Sequence, residues 1–332
     1  MNKNNQSLFN KSAAWKFASA AAAVVLLIML KELGILSTST LLIFQYIGIY
    51  AIVVLGINMV NGYLGVFSLA HAGFMAVGAY TAAVCTKFFF SVEWMFPVAI
   101  VAGGLVAMLL GILVAIPSFK TRGDYLAIIT LGFTLIVQSV LQNMEFVGAS
   151  KGLNNIPRHT NIYWVMGCLL FAIFVVSRFI HSKYGRSLKA IRQDQVASML
   201  VSVDVRLNKS IAFALSAFLI GIAGALIGHL LGYTSPSAYG FTNIVDGLVM
   251  VYLGGMGSIT GSIFGAAVWQ VLVQLLKGLG TWRWVVGGGL LCIIMVFRPK
   301  GLFGYIELSD LLKKIQAKMK SGKLKKGGNK DE

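Results

Sequence analysis

The sequence predicts an all-α protein that crosses a membrane about ten times. Three observations predict it. Of the 332 residues, 57% are hydrophobic and only 12% are charged, against about a quarter charged in ordinary globular proteins. The apolar residues fall in runs long enough to span a bilayer, which takes roughly 20 residues per helix. The basic residues, finally, cluster where those runs end, and the clusters fit one side of the membrane.

The elements follow in order. An apolar run from Phe17 to Leu30, behind Lys16, extends to Leu36 if Lys31 and Glu32 snorkel to the interface. It lacks a small-x-small cleavage site and reads as a span rather than a signal peptide. Further runs cover 41–60, 64–86, 95–117, 125–146, 161–180, 210–232, 242–256, 259–277 and 283–298. Threading ten spans from a cytoplasmic N-terminus puts four basic segments on one side: 1–16, 118–124 (Lys120, Arg122), 178–209 and 298–332. Lys and Arg are enriched on the cytoplasmic side, so both termini are expected there. The chain divides into a cytoplasmic N-terminus (1–16), a transmembrane domain (17–304) with a cytoplasmic loop at 181–209, and a basic cytoplasmic tail (305–332).

Two places break helical regularity: Asn58 to Gly65, and Gly254-Gly255-Met256-Gly257-Ser258. Unwound backbone at membrane depth is tolerated only where protein buries it or a cavity wets it. Each break therefore reads as a cytoplasmic turn or as a discontinuous helix beside a pathway. Gly65, Ser68, Phe74 and Ala76 match Gly255, Ser258, Phe264 and Ala266 at a constant offset of 190, which suggests a parallel internal repeat.

In the 181–209 loop, Arg186 to Leu200 lacks Gly and Pro and predicts a short helix. Leu188, Ile191, Val196 and Met199 give it a partial apolar face. Such a helix either lies on lipid or docks in the groove of a soluble partner.

Other chemistry is disfavoured. The net charge of +17 comes from membrane-flanking clusters without interleaved aromatics, so nucleic-acid binding is not expected. Cys85, Cys168 and Cys292 are isolated in apolar runs and have neither metal-ligand nor disulfide spacing. There is no nucleophile–base–acid set, and no Gly-x-x-x-x-Gly-Lys-Ser/Thr phosphate loop. No catalytic residues, metal or cofactor are expected in this chain.

Five blocks carry a resemblance. They are Ser68-Leu-Ala-His71-Ala-Gly-Phe74 through Thr81, and Arg122-Gly-Asp124-Tyr-Leu-Ala-Ile-Ile-Thr130-Leu-Gly132. Next come Gly185-Arg186-Ser-Leu188-Lys-Ala-Ile191-Arg192-Gln-Asp194 with Ala197, then Leu253 to Ser258 with Gly261, and Phe297-Arg-Pro-Lys-Gly-Leu302. Together, from about residue 41 to 304, they resemble permeases of branched-chain amino acid ABC importers. The Arg-Gly-Asp-Tyr-Leu-Ala block makes the likeness closer to the LivM-type subunit than to its LivH-type partner. Two positions depart from the family pattern: the segment after Asp194 reads Gln195-Val196-Ala197-Ser198 instead of Glu and two alanines, and Ser202 stands where a glycine is expected.

The resemblance implies a subunit in a bacterial cell membrane that works with others. These are a LivH-type permease, two ABC ATPases that bind the ATP, and an extracytoplasmic amino-acid-binding protein. Gly185, Arg186, Leu188, Ile191, Asp194 and Ala197 would couple it to the ATPases. Asn58, Asn61, Ser68, His71, Phe74, Gly254, Gly255, Gly257 and Ser258 would line the substrate path. For several of these a structural role competes. His71 could simply be hydrogen-bonded between helices. Asn58 and Asn61 could cap a broken helix, and the glycines could form a plain turn. Asp246 is either solvated at the outer end of its span or meets a cationic group. Rival readings are a permease of the same superfamily for another small polar solute, and an ion-coupled secondary amino-acid transporter. The latter would need buried carboxylates, and Glu145 and Asp246 both lie near span ends.

Overall fold

A computed structural model of the chain describes residues 29, 31–32, 37–89, 93–118, 124–280 and 282–297. Most of the first apolar run, the Lys120–Arg122 loop and everything after 297 lie outside the described residues. The remaining nine apolar runs all form helices. They are α1 (Thr38–Ile57), α2 (His71–Val84), α3 (Phe96–Ser118), α4 (Asp124–Asn143), α5 (Ile162–His181), α8 (Val205–Leu231), α9 (Phe241–Gly254), α10 (Ile259–Leu275) and α11 (Trp282–Phe297). The 181–209 loop contributes α6 (Lys183–Gln193) and α7 (Gln195–Leu200).

Among the described residues, seven helices are long and apolar enough to cross a membrane. At 14 and 16 residues, α9 and α11 span about 21 and 24 Å at 1.5 Å per residue. That falls short of a hydrocarbon core of about 30 Å.

The core is built around α8, whose most apolar stretch is 83% buried, whereas that of α4 is 28% buried. Helix α8 packs chiefly against α2 and α3, and small residues let the three backbones approach. A Cβ on Gly78 would overlap the backbone of Gly221, and one on Gly221 would lie 2.6 Å from the Ala107 Cβ. In lipid, helices associate through such close packing because apolar burial against apolar tails contributes little. Helix α1 adds a second face, held by Ser216 Oγ donating to the Gly56 carbonyl at 2.7 Å.

One end of the bundle is tied by a two-stranded antiparallel ladder, Leu153–Asn154 with Tyr233–Thr234. Lys87 Nζ, in the π-helical turn Cys85–Phe89 that follows α2, donates to the Asn154 carbonyl there at 2.9 Å. The opposite end holds α6, α7 and both helix breaks.

Those breaks differ in kind. After α1 the helix widens into a π-helical turn, Asn58–Leu64, and ends at Gly65 in the left-handed region (φ 75°). Residues 65–70, Gly65 included, are non-helical before α2. Between α9 and α10 the chain makes only a tight turn, with Gly255 and Gly257 at φ 112° and 87°. The 190-residue offset therefore matches helix–break–helix order but not local geometry. Phe74 is buried against Phe133, while its counterpart Phe264 is 44% exposed.

Candidate functional site

The expected pathway residues divide into two groups. The first surrounds the unwound segment 65–70, where every polar backbone group of Ser68 and Leu69 has a side-chain partner. Asn61 Oδ1 accepts from Ser68 N at 3.1 Å, and its Nδ2 donates to the Ser68 carbonyl at 3.3 Å. Leu69 N donates to Thr130 Oγ1 at 2.9 Å, and Thr134 Oγ1 donates to the Leu69 carbonyl at 3.0 Å. Two side-chain clamps thus replace the helical hydrogen bonds that the break removes, as buried backbone demands. Beside them Asn61, Ser68, His71, Phe74 and Ser216 line a small cavity.

His71 opens α2 and is 3% exposed. Neither ring nitrogen makes a hydrogen bond of normal geometry within the protein. The ring lies against the α9 backbone, so close that a Cβ on Gly247 would come 2.5 Å from Nε2. A buried polar group without a partner costs about 1–3 kcal/mol. His71 is therefore held against the α9 backbone at Asn243 and Ile244 without a well-formed hydrogen bond, on a ring that can both donate and accept.

The second group is a knot between the two breaks. The Asn58 amide, 1% exposed, is fully engaged. Its Oδ1 accepts from Gly257 N at 2.7 Å, and its Nδ2 donates to the Ser258 carbonyl at 2.9 Å and to Ser262 Oγ at 2.6 Å. Ser258 Oγ in turn caps α10 by accepting from Gly261 N at 3.1 Å. Gly254 serves close packing, since a Cβ there would overlap the Gly261 carbonyl.

The 181–209 loop departs from the single helix expected over Arg186–Leu200. Asp194 adopts extended backbone (φ −154°, ψ 115°) and splits the segment. Its carboxylate accepts from Val196 N at 2.7 Å and Ala197 N at 3.0 Å, capping α7. An unmade helical bond is replaced by a side-chain cap at an N-terminus, where a negative charge also suits the helix dipole.

The split separates the expected apolar face into two. Gly185, Leu188 and Ile191 are buried against the membrane helices. Arg186 is exposed and donates to the His181 carbonyl at 3.2 Å. Asp194 and Ala197 are exposed, and so are Val196, Met199, Leu200 and Val201, the last two at 83% and 70%. Of the six residues expected to couple, three pack inward and three face out.

Sequence reasoning also missed Arg192 as an individual residue. From the last turn of α6, its Nη1 donates to the Gly62 carbonyl in the first break. Thr130, Thr134, Ser216 and Ser262 were missed because each acts on a partner more than sixty residues away. Asp246, half-buried, accepts from Trp269 Nε1 at 3.2 Å.

The family model for the permease component of the branched-chain amino acid transport system matches residues 39–297. The chain belongs to this family. The permease is 32% identical over 313 residues to the high-affinity branched-chain amino acid transport system permease protein LivM of Escherichia coli, covering 83% of this chain and 71% of that one. It is 24% identical to LivH of the same organism, over 79% of this chain and 93% of that one. A shorter match, 29% identical over 38% of this chain, is to the xylose transport system permease protein XylH of Haemophilus influenzae. No solved structure matches the permease. With its apolar helices and these relatives, it is a multi-pass bacterial membrane protein.

Proposed function

We propose that this permease carries leucine, isoleucine and valine across the bacterial inner membrane as one half of an ABC importer's pathway. The other half is a LivH-type permease. A binding protein outside delivers the substrate, and two ATPases on the cytoplasmic side bind and hydrolyse ATP. The observation that carries this reading is the likeness to LivM over most of the chain. The exposed apolar knob of α7 supports it from the structure.

The reading takes the helix count as ten, with a first span at 17–36 and with α9 and α11 inserted beside longer neighbours. Residues 1–16 and 305–332 are then cytoplasmic ends flanking a membrane domain of 17–304. The end of the bundle that holds α6 and α7 is the cytoplasmic one, because it carries Lys183, Arg186, Lys189 and Arg192.

Val196, Met199, Leu200 and Val201, with Arg186, Asp194 and Ala197 around them, meet the ATPase; Gly185, Leu188 and Ile191 seat the segment on the permease. Asn61, Ser68, His71 and Phe74 border the substrate path at the first break, while Asn58, Gly254, Gly255, Gly257 and Ser258 shape the second break beside it.

The partial likeness to a xylose permease favours one alternative: a permease of the same superfamily for another small polar solute. Competition separates the two. Uptake of radiolabelled leucine by cells carrying the complete system should fall with excess isoleucine or valine and be indifferent to xylose. Inhibition by xylose alone would move the assignment to the second reading.

A further inference from the structure

We infer that Arg192 and Asn58 form a relay that ties the loop segment α6–α7 to the second helix break, so that movement of one displaces the other. The inference rests on reading α6–α7 as the ATPase-coupling segment and goes beyond it by naming the residues that transmit the motion.

The relay begins at α6. A helix that ends leaves its last carbonyls without intrahelical partners, and the π-helical turn ending at Leu64 leaves the Gly62 carbonyl in that position. Arg192 Nη1 donates to it, a charge-assisted bond placed at the negative end of the helix dipole. The Arg192 stem lies across Gly65, where a Cβ would overlap Arg192 Cγ. Only glycine meets both demands here, the positive φ of 75° and the close stem.

The second link is steric. Gly62 backs onto Asn58 one turn earlier, and a Cβ on Gly62 would overlap Asn58 Oδ1 and come 2.7 Å from Gly257 N. Gly62 therefore packs closely against Asn58 and Gly257, with no room for a side chain between them.

The third link is the Asn58 amide, whose oxygen holds Gly257 and whose nitrogen holds Ser258 and Ser262. Both ends of the amide are fixed and buried. A shift of the α1 terminus therefore either carries the α9–α10 turn with it or breaks three hydrogen bonds, which are costly to lose where the groups are buried. On this account Asn58 is a positioning residue, not a substrate ligand, because both amide donors are already used and the side chain is 1% exposed.

The test uses the complete importer in vesicles with its binding protein and ATPases. Arg192→Met keeps the stem and removes the donor, Arg192→Lys keeps a charged donor, and Asn58→Asp keeps the acceptor for Gly257 and removes both donors. The expected result for Arg192→Met and Asn58→Asp is unchanged co-purification of the ATPases, an ATPase rate within about twofold of wild type, and leucine moved per ATP down about tenfold. Arg192→Lys should recover most of the loss.

Hydrogen–deuterium exchange supplies a readout that a merely local role would not move. In Arg192→Met, amides of 255–258 should exchange faster, because Arg192 acts on them through Gly62 and Asn58. Wild-type transport per ATP in either assembled variant, or unchanged exchange at 255–258, would overturn the relay. Loss of the ATPases from Arg192→Met would overturn it too, by making Arg192 a docking residue. The underlying reading fails separately: if Leu200→Asp leaves ATPase co-purification intact, α7 is not the docking element.

Discussion

Asn58 Nδ2 and Ser262 Oγ lie 2.6 Å apart although 204 positions separate them in the chain. The bond joins the end of α1 to the first turn of α10, and its two partners are not equally dependent on it. Ser262 Oγ also donates to the Ser258 carbonyl at 2.9 Å, whereas Gly257 N has Asn58 Oδ1 as its acceptor. Asn58→Ala should therefore cost about 1–2 kcal/mol, the lower part of the range for orphaning a donor shielded from water, because Gly257 N is only part-buried. Ser262→Ala should cost under about 1 kcal/mol, and the two should couple by roughly 0.6–1.7 kcal/mol, as hydrogen bonds between membrane helices do. Thermal unfolding of the single and double variants in detergent checks the order.

Ser202 adopts φ 60°, a left-handed conformation that disfavours a side chain and suits glycine. Ser202→Gly should stabilise the permease by about 0.5–1 kcal/mol, and Ser202→Val should destabilise it by more. A rise in melting temperature for the first and a fall for the second is the expected pair of results.

Glycines at close crossings and glycines facing open space should respond oppositely to one methyl group. Gly78→Ala would drive a Cβ into the Gly221 backbone and should cost about 1–3 kcal/mol by overpacking. Gly132→Ala meets nothing within 4 Å and should be neutral or slightly stabilising, since alanine favours helix by about 1 kcal/mol. Expression yield and melting temperature distinguish the two.

The split of the 181–209 loop predicts two different failures from the same substitution. Leu188 is 1% exposed and Leu200 is 83% exposed. Leu188→Asp should abolish folded permease, because it buries an unpaired charge. Leu200→Asp should leave the permease folded and monodisperse but remove the ATPases from the purified complex. Size-exclusion chromatography followed by subunit staining reads both.

Much of the fold was legible in the sequence because hydropathy and charge act locally. The nine apolar runs within the described residues became helices, and both interruptions, Asn58 to Gly65 and Gly254 to Ser258, became breaks. What escaped were features set by partners far along the chain. Nothing near Thr130 and Thr134 in sequence reveals that they hold Leu69, and nothing near Arg192 reveals its hold on Gly62.

The apolar face of the loop was misread for a local reason. Asp194 can sit within a helix or cap the next one. The cap prevails here, and it resets the phase so that Leu188 and Ile191 turn inward while Val196 and Met199 turn out. In the candidate site the residue types were legible, but their division into a clamp, a cavity and a knot was not. That division depends on how α1, α2, α4, α9 and α10 pack against one another.

The most direct measurement of the central claim is leucine uptake into vesicles reconstituted with this permease, singly and with its LivH-type partner, ATPases and binding protein. The account predicts uptake only in the complete set, dependent on ATP inside the ATPase-facing compartment and on binding protein on the opposite side. Uptake by this chain alone, driven by an ion gradient and indifferent to ATP, would contradict it.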